Sequence, residues 1–357
     1  MEASQRIDIY DYMKCIAIII VVIGHLYNIS YDAETLGSST RSLVCVFINV
    51  SEMPLFFFLC GLFARPQSKI KDIGLKLLDK ARQLLLPFIS CSILATLLIR
   101  HSDITHMIQD QHKFGYWFLE SLFEFYILFY VFSYLVRKVT RPIFRVSAYA
   151  ILVIMAYLIA KVAMYIDLTY ANYINAYALK EFFIFFIFGQ LFMTYQETII
   201  KFIASYHSVL FAFSIVLIPC VLVINKTGEV NLLISNWLMG ISVVYVIYSL
   251  VVAYKETFPE VIQKTMLYIG RHTLDIYVLH FFFLPRNPSW ISSLLGIENG
   301  ISHNILFELF GGVALALIII SGCLILSSII RLSKLLSVVF LGDKINIYAN
   351  KDNLRFG

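Results

Sequence analysis

Charge is scarce in this sequence: Asp, Glu, Lys and Arg make up 14% of 357 residues, against 60% hydrophobic residues and a mean hydropathy of +0.80. An ordinary soluble domain devotes about a quarter of its residues to charge, so that class is excluded. The six cysteines, Cys15, Cys45, Cys60, Cys91, Cys220 and Cys323, lie in apolar runs without CxxC or His/Cys ligand spacing, which argues against disulfides and a metal site. No metal is expected. Also missing are internal repeats, low-complexity stretches and linkers long enough to separate domains. The first apolar run has no small-residue cleavage site and reads as a retained helix. Short alternating strands, the mark of a membrane barrel, are absent too.

What is present is a succession of apolar runs near 20 residues long, the length a helix needs to cross a bilayer. Ten spans are expected, at 15–30, 43–64, 83–100, 116–136, 146–166, 180–196, 207–224, 232–254, 265–284 and 304–331. The fold expected is all-α and integral to the membrane, a bundle of about ten transmembrane helices. Residues 1–335 read as one transmembrane domain and 336–357 as a cytoplasmic tail. The net charge of +5 is mostly topological. Arg65, Lys69, Lys71, Lys76, Lys80 and Arg82 follow the second span, and Arg137, Lys138, Arg141 and Arg145 follow the fourth. Arg331, Lys334, Lys344, Lys351 and Arg355 lie at the end. The opposite connectors carry little beyond Arg41, Lys226 and Arg286, so both termini are placed in the cytoplasm. The longest outward loop is 284–303. Segment 67–83 has Ile70, Ile73, Leu77 and Leu78 on one side and basic residues on the other. It reads either as an interfacial anchor or as a segment whose Lys80 and Arg82 hold a phosphate-bearing ligand.

The few polar groups inside these spans carry the functional signal, because an ionisable side chain in the bilayer is expensive. Lys14 stands eleven positions before His25. That step turns a helix about three times and advances roughly 16 Å, so the two share one stripe, with Lys14 at the membrane edge. Asp11 falls close to the same stripe and can pair with Lys14. Gly24 precedes His25 and admits a close approach to the backbone, and Asn28 follows it. A lone buried histidine could simply donate to a neighbouring carbonyl; the shared stripe favours a functional one. Glu52, before Met53 and Pro54, must either face a wet cavity or neutralise a buried cation. Tyr116 and Trp117 suit an interfacial aromatic belt. Glu120 and Glu124 share a face that a belt does not explain, where helix association and binding of a cationic side chain both remain open. Near 270–280, His272 and Asp275 could cap or orient one another, with Arg271 snorkelling and His280 deeper.

Taken together, these residues resemble the acyltransferase type-3 family. The resemblance is carried by Asp11, Lys14 and His25 at their spacing, by Met53 to Gly61, by the stretch from Arg82 to Pro87, by Tyr116 to Leu119, and by Gly270 to His280. It is closest to the fucose acetylase-like subgroup, which has lysine at the position of Lys14. Such proteins are ten-helix membrane enzymes that O-acylate envelope sugars. The chain departs from the common pattern in three places. Asp79, Lys80 and Arg82 stand where two arginines are usual, Glu52 replaces a histidine before Met-Pro, and Cys60 replaces a serine before Gly61.

The resemblance implies an O-acyltransferase that moves an acyl group, acetyl above all, from cytoplasmic acyl-CoA to a hydroxyl of a cell-envelope or exported sugar. His25 is the expected general base, with Glu52 or Glu124 supporting it. Lys14, Lys80, Arg82 and Arg271 are the expected contacts to coenzyme A. Asn28, Trp117, Glu120 and His280 are expected to border the acceptor, and Asp11 and Asp275 to give structural support. Partners are acyl-CoA, a sugar or polysaccharide, and membrane lipids, without nucleic acid; a homodimer is allowed. The implied location is a bacterial inner membrane. A transporter or flippase for a polyol or lipid-linked sugar is the competing class. It would be expected to show repeated halves with paired broken helices.

Overall fold

Backbone in hydrocarbon has to satisfy its own hydrogen bonds, and this chain does so by becoming almost wholly helical. The computed structural model describes residues 3–30, 42–227, 233–285, 295, 297–298, 301–302 and 304–344. Arg41, Arg286, Lys351 and Arg355, and most of loop 284–303, lie outside the described residues. In chain order the helices are α1 (Ala3–Ser30), α2 (Leu43–Leu62), α3 (Ile70–Ile99), α4 (Ile104–Gln109), α5 (Trp117–Leu135), α6 (Pro142–Ile166) and α7 (Leu168–Tyr173). They continue as α8 (Ala176–Thr194), α9 (Gln196–Thr227), α10 (Leu233–Tyr254), α11 (Glu260–Arg271), α12 (Thr273–Leu279), α13 (Ile305–Ile330) and α14 (Lys334–Leu341). Two short strands, β1 (Ile297–Glu298) and β2 (Ile301–Ser302), pair antiparallel ahead of α13.

Nine of these helices, among the described residues, are long and apolar enough to cross a membrane. The ninth expected span, 265–284, is corrected. The chain breaks at His272, leaving an amphipathic α11 and a short apolar helix, Thr273–Phe282. Ten residues rise about 15 Å, half a bilayer. The amphipathic segment 67–83 runs straight into the third span, through a π-helical stretch at Ala81–Leu85. Helix α9, the seventh span, starts at Gln196, ahead of the expected 207, and bends at Tyr206 where the backbone leaves helical geometry.

Helix α1 lies at the centre, against α2, α10, α11, α12 and α13. Helix α2 stays continuous through Pro54 and crosses α8 at backbone contact. A Cβ added at Gly61 would collide with the carbonyl of Phe186, and one at Gly189 with that of Phe58. The reciprocal glycines let two apolar helices approach where lipid gives no hydrophobic push. At the far end Ser90 Oγ donates to Val339 O at 2.8 Å, so α14 folds back onto α3.

Asp275 opens α12, and Arg331 follows α13. Their carboxylate and guanidinium meet in two hydrogen bonds of 2.6 and 3.1 Å, with Ser327 Oγ on the same carboxylate at 3.0 Å. The start of α12 and the end of α13 therefore share one membrane face, the one rich in basic residues. This replaces the expected His272 to Asp275 pairing: His272 Nδ1 bonds Tyr268 O instead, at 2.8 Å.

Candidate functional site

The Asp11 and Lys14 end of α1 meets α11. Gly270 has no side chain because the backbone carbonyl of Asp11 occupies the space a Cβ would take. That crossing brings Arg271 to Asp11, with Nε to Oδ2 at 3.1 Å, while Lys14 Nζ holds Oδ1 at 3.0 Å. The Asp11 carboxylate is almost wholly buried and serves both cations. Lys14 also lies over the Phe63 ring, 4.5 Å from its centroid. A cavity of about 260 Å³ opens beside it, lined by Lys14, Lys80, Gln83 and Cys60 at one end and by Phe118 and Tyr277 among its apolar walls. Lys80 Nζ donates to Gln83 Oε1 at 3.0 Å and sits over the Tyr126 ring at 4.4 Å. Two ammonium groups from distant parts of the chain thus face one cavity on the basic side of the membrane.

His25 lies deeper on α1. Its Nδ1 is 2.9 Å from Val21 O, and since a carbonyl only accepts, Nδ1 carries the proton of that bond. Gly24 provides the close approach its sequence position suggests, and the group that approaches is Glu52: a Cβ at Gly24 would collide with Glu52 Oε2. That oxygen is buried with no hydrogen-bond partner, an expensive arrangement in the middle of α2. A second imidazole, His280, stands edge-on to His25 with ring centroids 4.9 Å apart. His280 is fully buried; its Nδ1 donates to Tyr277 O at 2.7 Å, and its Nε2 has no partner. Phe281 closes the third side of His25, also at 4.9 Å.

The turn ahead of α5 is fastened to this group. Tyr277 OH donates to Gly115 O at 2.7 Å, and Tyr116 OH donates back to Val278 O at 3.0 Å. Tyr116 is buried, and Trp117 stacks on Phe182 at 5.7 Å and packs on Phe57. The interfacial-belt reading is therefore corrected for Tyr116, which belongs to the core, while Trp117 is partly buried and packs against that core. Lys113, Phe114 and Gly115 all take positive φ, of 46°, 51° and 103°. Such a run is strained for the two residues with side chains. It is held because the buried Lys113 ammonium donates to Ile108 O at 2.7 Å and Asn172 O at 2.8 Å. Burial keeps this ammonium below the ordinary lysine range, and the charges of Glu120, Asp110 and Glu124 oppose that shift.

Glu124 Oε1 accepts from Asn175 Nδ2 at 3.4 Å, and Glu120 lies one turn earlier on α5. The carboxylate pair thus belongs with Lys113 and Asn175, while Glu52 is the carboxylate brought to the α1 backbone beside His25. Asn28 accepts from Asn49 Nδ2 at 3.4 Å, one turn past His25. Arg82 is paired with Asp79 at 2.6 Å and does not line the cavity. Nothing in the sequence marks Lys113, Asn175 or Tyr277 individually. A lone lysine or asparagine in a connector has no periodicity to mark it, although Tyr277 lies inside a quoted motif.

A family model described as an acyltransferase domain matches residues 7–332, more than nine-tenths of the chain. The chain belongs to the acyltransferase type-3 family. No curated protein and no solved structure is significantly similar to it. The family makes it a membrane acyltransferase, and the multi-pass helical bundle agrees with that.

Proposed function

We propose that this acyltransferase type-3 protein takes an acyl group, acetyl above all, from cytoplasmic acyl-CoA and gives it to a hydroxyl of an envelope or exported sugar. The observation that carries the reading is the cavity bearing both Lys14 and Lys80, whose wall residue Tyr277 also holds His280 beside His25. Coenzyme A is polyanionic, and ammonium groups bind its phosphates by charge-assisted hydrogen bonds. Arg271 stands next to Lys14 across Asp11 and adds positive charge at the entrance. The thioester arm would run along the apolar walls toward His25, roughly 16 Å further along α1.

At the far end the Nε2 lone pair of His25 accepts the proton of the sugar hydroxyl. The oxygen attacks the thioester carbonyl carbon, the C–O bond forms, and the C–S bond breaks. The departing thiolate takes the proton back from the imidazolium, giving the ester and free thiol. An imidazole suits this task because its pKa lies near neutrality. Glu52, aimed at the same turn of α1, offsets the transient positive charge. His280 Nε2 accepts a hydrogen bond from the sugar, and Trp117 and Glu120 flank its path. A bacterial inner membrane, with coenzyme A inside and the growing glycan outside, fits this division of labour.

The test is incubation of the purified protein with labelled acetyl-CoA, and in parallel succinyl-CoA, in the presence of candidate glycans. Transfer or slow thioester hydrolysis by the wild type, lost in His25→Ala with the fold intact, is the expected result. Normal turnover by folded His25→Ala would reject the base, and absence of any reaction with acyl-CoA would return the transporter reading.

A further inference from the structure

A second polar cavity, of about 280 Å³, lies at the basic face between α5, α6 and α8, away from the Lys14 cavity. Arg137 and Arg145 line it, and no carboxylate does. Arg137 Nη1 donates to Tyr134 O at 2.6 Å, and Arg145 Nε and Nη2 donate to Val139 O at 3.1 and 2.8 Å. These bonds fix the two guanidinium groups without neutralising either one, and neither has a carboxylate partner among the described residues. A third lining residue, Gln190, is 3% exposed, and its Oε1 has no hydrogen-bond partner. Such an oxygen calls for a donor from whatever fills the cavity.

The wall residue Tyr149 also lines an apolar groove of about 660 Å³ between α6, α8 and α10. The groove extends from Val146 to Tyr157 along α6, eleven residues and so roughly 16 Å, close to half the bilayer thickness. Two unneutralised cations, a buried acceptor and an adjoining apolar groove that shares the Tyr149 wall fit one molecule that combines a phosphate, a hydroxyl and a long hydrocarbon chain.

We propose that this is a binding site for an anionic phospholipid with a hydroxylated headgroup, of the phosphatidylglycerol type. Arg137 and Arg145 hold the phosphate, Gln190 Oε1 accepts from the headgroup hydroxyl, and one acyl chain lies along the α6, α8 and α10 groove. The site is separate from the acyl-transfer centre and does not depend on the acceptor or donor proposed above.

The experiment is native mass spectrometry of the full chain in neutral detergent, titrated with phosphatidylglycerol, phosphatidylcholine or inorganic phosphate. Phosphatidylglycerol should bind in discrete stoichiometry, and the Arg137→Gln/Arg145→Gln variant should bind it about thirty-fold more weakly, the equivalent of two interfacial charges. Ala150→Trp, which fills the groove from its exposed side and leaves both arginines, should weaken it as well. Lys334→Gln, at an exposed basic position elsewhere on that face, should not. Three results would overturn the proposal: full affinity in the double-arginine variant, equal loss in Lys334→Gln, or displacement of the lipid by millimolar inorganic phosphate. A rise in the acyl-CoA KM of the double variant with unchanged lipid binding would reassign the arginines to the donor.

Discussion

Helices α1 and α9 are both long, apolar membrane spans, yet they do opposite work. The apolar stretch of α1 is 72% buried inside the protein and that of α9 is 11% buried. On α9 the exposed residues Val209, Phe213 and Val216 face lipid, and its His207 is taken up by Tyr245 at 2.8 Å. On α1 two polar groups are enclosed by protein: Asp11 by Lys14 and Arg271, and His25 by Glu52, His280 and Phe281. Both helices are long and apolar enough to cross a membrane. What separates them is whether polar groups sit where other helices can answer them, which is the condition for keeping charge inside a bilayer.

The sharpest way to break the contrast is to remove the deepest polar group of α1. His25→Ala should lower kcat by about 10²–10⁴-fold, the range of a lost general base, with an unchanged far-ultraviolet spectrum and elution volume. An equal loss on altering His207 of α9 would mean that buried and lipid-facing histidines are equivalent, and the contrast would fail.

The Glu52 contact sharpens the comparison at one remove. Gly24→Ala puts a methyl where the Glu52 carboxylate lies, and Glu52→Gln removes its charge. Each should lower kcat by roughly ten-fold while leaving the donor KM alone, about the effect of one lost charge-assisted contact. Because both act through one contact, the double variant should lose little more than either single one. Fully multiplicative losses would separate Glu52 from His25.

How much of this was legible beforehand divides along the same line. The spans, their direction and the Lys14 to His25 stripe follow from helical period and the distribution of Lys and Arg, both local properties of the sequence. Gly24 and Gly270 were visible as glycines, but what they admit, Glu52 in one case and the Asp11 carbonyl in the other, depends on which helices cross. Apolar residues continue through His280 to Phe283, so the sequence predicts a full span over 265–284; the break at His272 has no Pro to announce it. His272 is a possible partner of Asp275 by sequence, being three residues away, whereas the actual partner Arg331 lies 56 residues away. The contact of Glu124 with Asn175, 51 residues away, is invisible for the same reason. Lys113 lies in a connector with no periodicity, and its left-handed backbone depends on carbonyls from α4 and α7.

The cytoplasmic end of α1 should respond differently from its interior. Lys14→Met keeps much of the apolar stem over Phe63 and removes the ammonium from both Asp11 and the cavity. Arg271 still faces Asp11, so the carboxylate retains one partner and the fold should persist. The acyl-CoA KM should rise about ten-fold with kcat nearly unchanged, as for a group that binds donor equally in ground and transition states. A change confined to kcat would move Lys14 from donor binding to the chemistry.

The smallest effect belongs to α9. Val216→Leu adds one methylene to a side chain that is 65% exposed toward lipid, where a similar hydrocarbon already surrounds it. Its effect on stability in lipid nanodiscs should stay within about 0.5 kcal/mol, the range of a substitution that touches no packed core. The same logic makes the result informative in the other direction. A loss of 1–3 kcal/mol is what overpacking a tight interface costs, and it would mean that Val216 is covered by another protein surface. A second copy of the chain would then be the first candidate, and a concentration-dependent melting temperature would identify it, because association stabilises by mass action while lipid does not.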